Sequence, residues 1–149
     1  MRFPLILTTG RVLTQYNVGA QTRRTPNSEW DDEDRLEIHP HDAEDRGITS
    51  GDWVGVSSRA GTTVLRATVT DRGQPGVVYT TFHFPESGAN VITTENSDWA
   101  TNCPEYKVTA VQVDRVQQPS EWQKRFLEQD RQQLDLLHRA GAELGSGPR

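Results

Sequence analysis

Apolar residues along this chain gather into short, strand-sized runs separated by turn chemistry, a pattern that predicts β-structure over most of its length. Residues 5–9 (Leu5, Ile6, Leu7, Thr8, Thr9) form the first run, halted by Gly10; apolar residues at both parities predict a strand buried on both faces. Residues 36–38 predict a second strand. In residues 53–58, Val54 and Val56 alternate with Trp53, Gly55 and Ser57, and in residues 63–70, Leu65, Ala67 and Val69 share one parity. Arg59, Ala60, Gly61 and Thr62 supply the turn between these two, which predicts a β-hairpin. A turn over Gly73, Pro75 and Gly76 precedes a strand at 77–82, and the alternation of Val108, Ala110 and Gln112 places the last strand at 107–113. Strands this numerous and short predict an all-β barrel.

Helical signals interrupt the pattern twice. Residues 40–46 carry Asp42 and Glu44 early, Arg46 late and Gly47 where a left-handed cap belongs, predicting one or two turns. After Pro119, Ser120 and Gln123 make a capping box, and Trp122, Phe126, Leu127, Leu134 and Leu137 recur on one face of an amphipathic C-terminal helix, with residues 145–149 as a frayed tail. The resulting organisation is a β-barrel domain at 1–116 and a helix with tail at 117–149.

Two segments lack periodicity. Residues 11–30 are polar, with Gly19 and Pro26, and loops longer than about 12–15 residues are usually functional. Residues 85–104 are rich in Asn, Ser, Thr and Gly around Val91 and Ile92. The acidic run Asp31, Asp32, Glu33, Asp34 predicts a solvated turn, because consecutive carboxylates rarely converge on one ion.

Composition narrows the function classes. A length of 149 residues suits one domain plus a tail, and 33% hydrophobic with 25% charged residues is globular. The net charge of -5 excludes a general nucleic-acid binder, which needs a basic footprint. Cys103 is the sole cysteine, so no disulfide framework, CxxC pair or thiolate cage exists, and a reducing cytoplasmic setting is expected. No stretch reaches the roughly 20 apolar residues of a membrane span, and residues 1–7 show no cleavage site; no membrane association is expected.

Self-contained chemistry finds little support. GxSxG, GxGxxG and GxxxxGK[ST] are absent, and His39 and His41 lie two apart on opposite faces of an extended chain. What remains is a strand end at Thr9, Gly10 and Arg11, a loop with Arg23 and Arg24, and a second loop with His83, Asn90 and Thr94. Backbone amides at Gly10 and forked arginine donors suit an anion; the alternative for Arg23 and Arg24 is a pair of solvated surface charges.

The run Phe3-Pro4-Leu5-Ile6-Leu7-Thr8-Thr9-Gly10-Arg11, followed by Gln15-Tyr16-Asn17, resembles the opening of the molybdopterin-dinucleotide-binding domain that ends the catalytic subunits of the molybdopterin oxidoreductase family. Ile48-Thr49-Ser50-Gly51-Asp52-Trp53-Val54, Pro75-Gly76-Val77, Phe82-His83-Phe84, Asn90 and Pro104-Glu105-Tyr106-Lys107 resemble its later motifs in the same order, over about residues 1 to 116. The wording, including Gln21-Thr22-Arg23-Arg24-Thr25, is most similar to the catalytic subunits of soluble NAD-dependent bacterial formate dehydrogenases. The resemblance implies a double-psi β-barrel that lines one side of a molybdopterin guanine dinucleotide, with Mo or W bound through the cofactor and not by this domain. It implies cofactor-binding roles for Thr9, Gly10, Arg11, Val12, Leu13, Gln15, Tyr16, Arg23, His83, Asn90, Tyr106 and Lys107, and no catalytic residue here. The implied partners are the remaining domains of a formate dehydrogenase catalytic subunit, which supply the metal ligand, and its electron-transfer subunits. A stand-alone pterin-binding subunit, as in formylmethanofuran dehydrogenase, is the alternative within that class. From other classes, a self-processing decarboxylase on such a barrel needs a Gly-Ser cleavage point, yet the only Gly-Ser is Gly145-Ser146; a peptide-binding adaptor barrel predicts no affinity for a pterin dinucleotide.

Overall fold

The computed structural model describes residues 2–26, 30–93, 100, 107–121, 123–126, 128, 129 and 132. Six strands carry the first of two compact units, Met1–Pro119: β1 (Leu5–Thr9), β2 (Arg35–Ile38), β3 (Trp53–Ser57), β4 (Thr62–Val69), β5 (Val77–Thr80) and β6 (Thr109–Val116). One short helix, α1 (Pro40–Glu44), follows β2.

The strands close into a barrel in the order β1-β5-β2-β4-β3-β6, with β1–β5 and β2–β4 parallel and the other neighbours antiparallel. Exchanging each of β1, β2 and β3 with β4, β5 and β6 returns the same ring with the same senses. The halves therefore interlock rather than sit side by side, which is the double-psi arrangement. The correspondence extends to the connections: α1 follows β2, and two 3-10 turns, Pro85–Ser87 and Ala89–Ile92, follow β5. It does not hold for the connections after β1 and β4. The β1–β2 connection is the long polar loop, whereas β4 and β5 are joined by the short turn after Val69.

Alternation explains which side chains fill the barrel. Leu5 and Leu7 from β1, Leu36 and Ile38 from β2, Val54 and Val56 from β3, Leu65 and Ala67 from β4, Val78 from β5, and Val111 and Val113 from β6 form one buried cluster. Full burial of each such side chain is worth roughly 1.5–3 kcal/mol before chain entropy is subtracted. β1 is buried on one face only, contrary to the two-sided expectation: Ile6 is 46% exposed. A strand in a closed barrel offers one face to the interior, so Ile6 turns outward by parity. The hairpin lies where the turn residues put it, with Trp53 opposite Arg66 and the guanidinium 4.1 Å from the Trp53 ring. β6 starts and ends later than alternation alone suggests, with Thr109, Val111 and Val113 inward.

α1 is held as its sequence directs. Pro40 occupies the first turn, His39 Nδ1 accepts from the His41 N–H at 3.2 Å, and Gly47 at φ +60 ends the segment. His39 is therefore a helix cap, and among the described residues no group of three or more His, Cys, Asp or Glu side chains is placed to hold a metal. No helix among the described residues is long and apolar enough to cross a membrane.

The turn into β3 carries a pH-sensitive contact. Asp52 accepts from the Thr49 N–H and the Thr49 hydroxyl, both at 2.9 Å, and pairs with Arg115 at 3.1 Å. The Thr49 amide first, then its hydroxyl, with Arg115 adding to them, hold the carboxyl below the ordinary aspartate range. A depressed folded pKa stabilises the fold above the unfolded value and loses that contribution as pH falls through the folded value. Wild type is therefore expected to lose more thermal stability than Asp52→Asn on acidification below about pH 4, measured as the difference in unfolding midpoint between the two proteins at each pH.

The second unit, Ser120–Arg149, opens as the capping box predicts. Ser120 N–H donates to Gln123 Oε1 at 3.0 Å and Gln123 N–H to Ser120 Oγ at 3.2 Å. Residues 121, 123–126, 128, 129 and 132 are helical. Trp122, Leu127, Leu134 and Leu137, expected on the apolar face, lie outside the described residues, as do Thr94, Cys103 and residues 145–149.

Candidate functional site

The loop after β1 is built onto the barrel end by side chains the sequence presents as ordinary polar residues. Gly10 N–H continues the β1–β5 ladder to the Thr80 carbonyl at 3.1 Å. A Cβ there would sit 2.6 Å from Tyr79 Cε2 and 2.8 Å from Cζ, so the absent side chain lets Tyr79 lie across the strand end. The Tyr79 hydroxyl then donates to the Arg11 carbonyl at 3.4 Å. Burial, followed by the nearby Glu37 carboxylate, pushes this phenol above its ordinary value, which keeps the hydroxyl protonated as a donor. From the other side Lys107 Nζ donates to the Thr9 carbonyl at 2.5 Å. Thr9, Gly10, Arg11 and Lys107 are thus gathered at one strand end.

Beyond it, Gln15 is buried and spans the loop: its Oε1 accepts from the Thr22 hydroxyl at 2.6 Å and its Nε2 donates to the Asp31 carbonyl at 3.1 Å. The Thr14 hydroxyl donates to the Asp31 carboxylate, and Tyr16 N–H donates to the Thr22 hydroxyl at 3.2 Å. These contacts turn the backbone outward, leaving the side chains of Leu13, Tyr16 and Val18 exposed, Tyr16 at 63%.

Asp34 organises the second loop and is the largest departure from the sequence reading. The acidic run is expected as a solvated turn, yet Asp34 is 2% exposed. Its carboxylate accepts from the Thr81 hydroxyl, the His83 N–H at 3.0 Å, the Phe84 N–H at 3.0 Å and the Ser87 hydroxyl at 2.5 Å. A signal existed: Asp34 shares the parity of Leu36 and Ile38, both inward on β2. Glu33, beside it, is partly buried, and that burial raises its carboxyl above the usual range.

The two loops meet through His83 and Arg23. His83 is fully buried; its Nε2 accepts from the Val12 N–H at 3.1 Å and its Nδ1 lies 2.5 Å from the Asn17 carbonyl. Arg23 pairs with Glu86 at 2.8 Å, its guanidinium 5.2 Å from the Phe84 ring, rather than standing as a solvated charge, whereas Arg24 is exposed.

Between the loops opens a cleft of about 310 Å³ lined by Arg11, Asn17, Val18, Phe82 and Asn90. It joins two of the residues singled out from sequence, Arg11 and Asn90. The Arg11 guanidinium is exposed and forms no ion pair among the described residues. A larger groove of about 740 Å³ lies on the other side of Arg11, where Val12, Leu13, Trp30 and Tyr79 contribute. Gln15, Arg23 and His83 are occupied within the chain, and Tyr106 lies outside the described residues. Asn17, Val18, Phe82 and Tyr79 also belong to this surface; Asn17 and Phe82 stand in the sequence motifs without an assigned site role, and Val18 and Tyr79 are not singled out there.

A forked cation with no ion pair among the described residues, in a cleft also lined by Asn90, whose amide can donate and accept, and by the aromatic Phe82, fits an anionic ligand carrying a heterocycle. The cleft is open and small for a dinucleotide, so it forms one wall of such a site.

Residues 5–110 match the family described as the molydopterin dinucleotide binding domain. The chain is 41% identical over 115 residues to the F420-dependent formate dehydrogenase 1 subunit alpha of Methanococcus maripaludis, covering 76% of this chain and 17% of that protein. It is 36% identical over 119 residues to a nitrate reductase of Symbiobacterium thermophilum, covering 76% of this chain and 16% of that protein. Among solved structures, acetylene hydratase from Pelobacter acetylenicus superposes with a TM-score of 0.66 at 18% identity, over 76% of this chain and 18% of that one, a likeness of fold. The chain spans about a sixth of the length of the curated relatives it matches.

Proposed function

The chain belongs to the molydopterin dinucleotide binding domain family, and on that premise we propose that it binds molybdopterin guanine dinucleotide as one domain of a formate dehydrogenase catalytic subunit, the complete enzyme oxidising formate to CO2. The observation that carries the reading is the convergence of Arg11 and Asn90 on one cleft, next to the strand end held by Lys107. In this reading Arg11 makes forked bonds to the pyrophosphate, and the Lys107 ammonium, with donors beyond the one given to Thr9, makes the local potential more positive and offsets phosphate charge. Asn90 reads a heterocycle edge, Phe82 and Val18 exclude water, and Thr9, Gly10, Val12, Leu13 and Tyr16 shape the wall. Tyr106 joins them by its motif. Gln15, Arg23 and His83 serve the ligand by holding its loops.

When bound, the cofactor carries Mo or W and supplies the two-electron redox chemistry; this chain binds, orients and shields it. Further domains of the same subunit supply the metal ligand, and electron-transfer subunits pass electrons to the acceptor, F420 in the names of the relatives and NAD in the sequence resemblance. A cytoplasmic location accords with that assembly.

The test is to mix the purified chain with molybdopterin guanine dinucleotide, and separately with a formate dehydrogenase lacking this domain. Saturable cofactor binding or restored formate oxidation is expected; the absence of both overturns the reading.

A further inference from the structure

The hydrogen-bond partners of His83 assign its tautomer. A backbone N–H only donates, so the Val12 contact at 3.1 Å makes Nε2 the acceptor and leaves it without a proton. A carbonyl only accepts, so the 2.5 Å contact with Asn17 places the proton on Nδ1. The ring is a neutral imidazole in one tautomer, fully buried, with both nitrogens committed to the backbone of a single loop.

Those two commitments fall at the ends of residues 12–17, and the cleft residues from this loop are either at the clasped positions or next to them. Arg11 precedes Val12, Asn17 is clasped itself, and Val18 follows. Asn17 adopts φ +48, a conformation non-glycine residues seldom take, and its carbonyl is the one the imidazole holds. On the opposite wall Phe82 adjoins His83, with ring centroids 5.2 Å apart. The ring's own backbone is pinned by Asp34 through the His83 N–H.

We propose that His83 is the positioning residue of the cofactor face: an Nδ1-protonated imidazole that clasps both ends of residues 12–17 and so sets Arg11, Asn17 and Val18 against Phe82 and Asn90. This rests on the cofactor-binding reading above. His83 does not touch the ligand. It decides whether the groups that do are in register.

The experiment uses the full chain and three variants. His83→Asn places an amide donor near the Nδ1 position and abandons Val12; His83→Gln reaches the Nε2 position as an acceptor; His83→Phe keeps the bulk and neither bond. Imidazole 15N spectra of wild type are expected to show the Nδ1-protonated neutral form. Amide exchange at Val12 should accelerate about tenfold or more in His83→Phe and His83→Asn and stay slow in His83→Gln, a split that a purely space-filling residue does not produce. Affinity for molybdopterin guanine dinucleotide should drop about tenfold in His83→Phe, measured on protein that shows a cooperative thermal transition. An Nε2-protonated ring, or equal Val12 exchange in all three variants, overturns the clasp. Wild type and His83→Phe binding equally well overturns the positioning role while leaving cofactor binding intact; wild type neither binding the cofactor nor restoring formate oxidation to an enzyme lacking this domain overturns the functional reading itself.

Discussion

Asp34→Ala is expected to destabilise the barrel unit by about 3–5 kcal/mol, because it strands the buried His83 and Phe84 amides and the Thr81 and Ser87 hydroxyls that its carboxylate satisfies. Each buried polar group left without a partner costs about 1–3 kcal/mol, and part of that sum is recovered where a hydroxyl rotates to another acceptor, as Ser87 does toward the Phe84 carbonyl at 2.7 Å. The loss is a large share of the roughly 5–15 kcal/mol by which a domain is stable. Asp34→Asn is the sharper comparison. The amide retains one acceptor oxygen but presents an NH2 toward either the His83 or the Phe84 N–H, so it too should fall well below wild type. Urea titration followed by far-UV circular dichroism measures both. A change below about 1 kcal/mol in Asp34→Ala would show that the loop is held by something other than this carboxylate.

Arg11→Ala is expected to have the opposite profile, a large effect on ligand binding and almost none on folding. The exposed guanidinium forms no ion pair among the described residues, and the Tyr79 contact uses the Arg11 carbonyl, which alanine keeps. Charge-assisted hydrogen bonds contribute about 1.5–3 kcal/mol, so affinity for molybdopterin guanine dinucleotide should weaken by roughly 10- to 100-fold while the melting temperature stays within about 1 °C. Arg11→Lys should fall between, since it keeps the charge and loses the fork. Calorimetric titration of the three proteins decides it; unchanged affinity in Arg11→Ala would move the ligand away from this cleft.

Much of the fold was legible from local patterns. The hairpin over Trp53 to Val69, the short helix ended by Gly47 and the Ser120–Gln123 capping box all depend on neighbours a few residues apart, and all lie where the pattern puts them. The candidate site was legible in part. Arg11 and Asn90 do share a cleft, whereas Gln15, Arg23 and His83 turned inward onto Thr22, Glu86, Val12 and Asn17. A polar side chain reads alike in sequence whether it faces a ligand or holds the loop that does, since the partners that distinguish the two cases are 63 to 71 residues away for Arg23 and the Val12–His83 pair.

What the sequence by itself determined was the all-β character of the chain, the strand segments and the family resemblance, because alternation and turn chemistry are written in adjacent residues. Only the tertiary structure decided that Ile6 faces out, that Asp34 is buried under four donors and that both ring nitrogens of His83 lie against the backbone of the 11–17 loop. Those outcomes follow from barrel closure, which brings β1 beside β5 and the 81–87 segment against the 11–17 loop, and closure is a long-range event that no local pattern encodes.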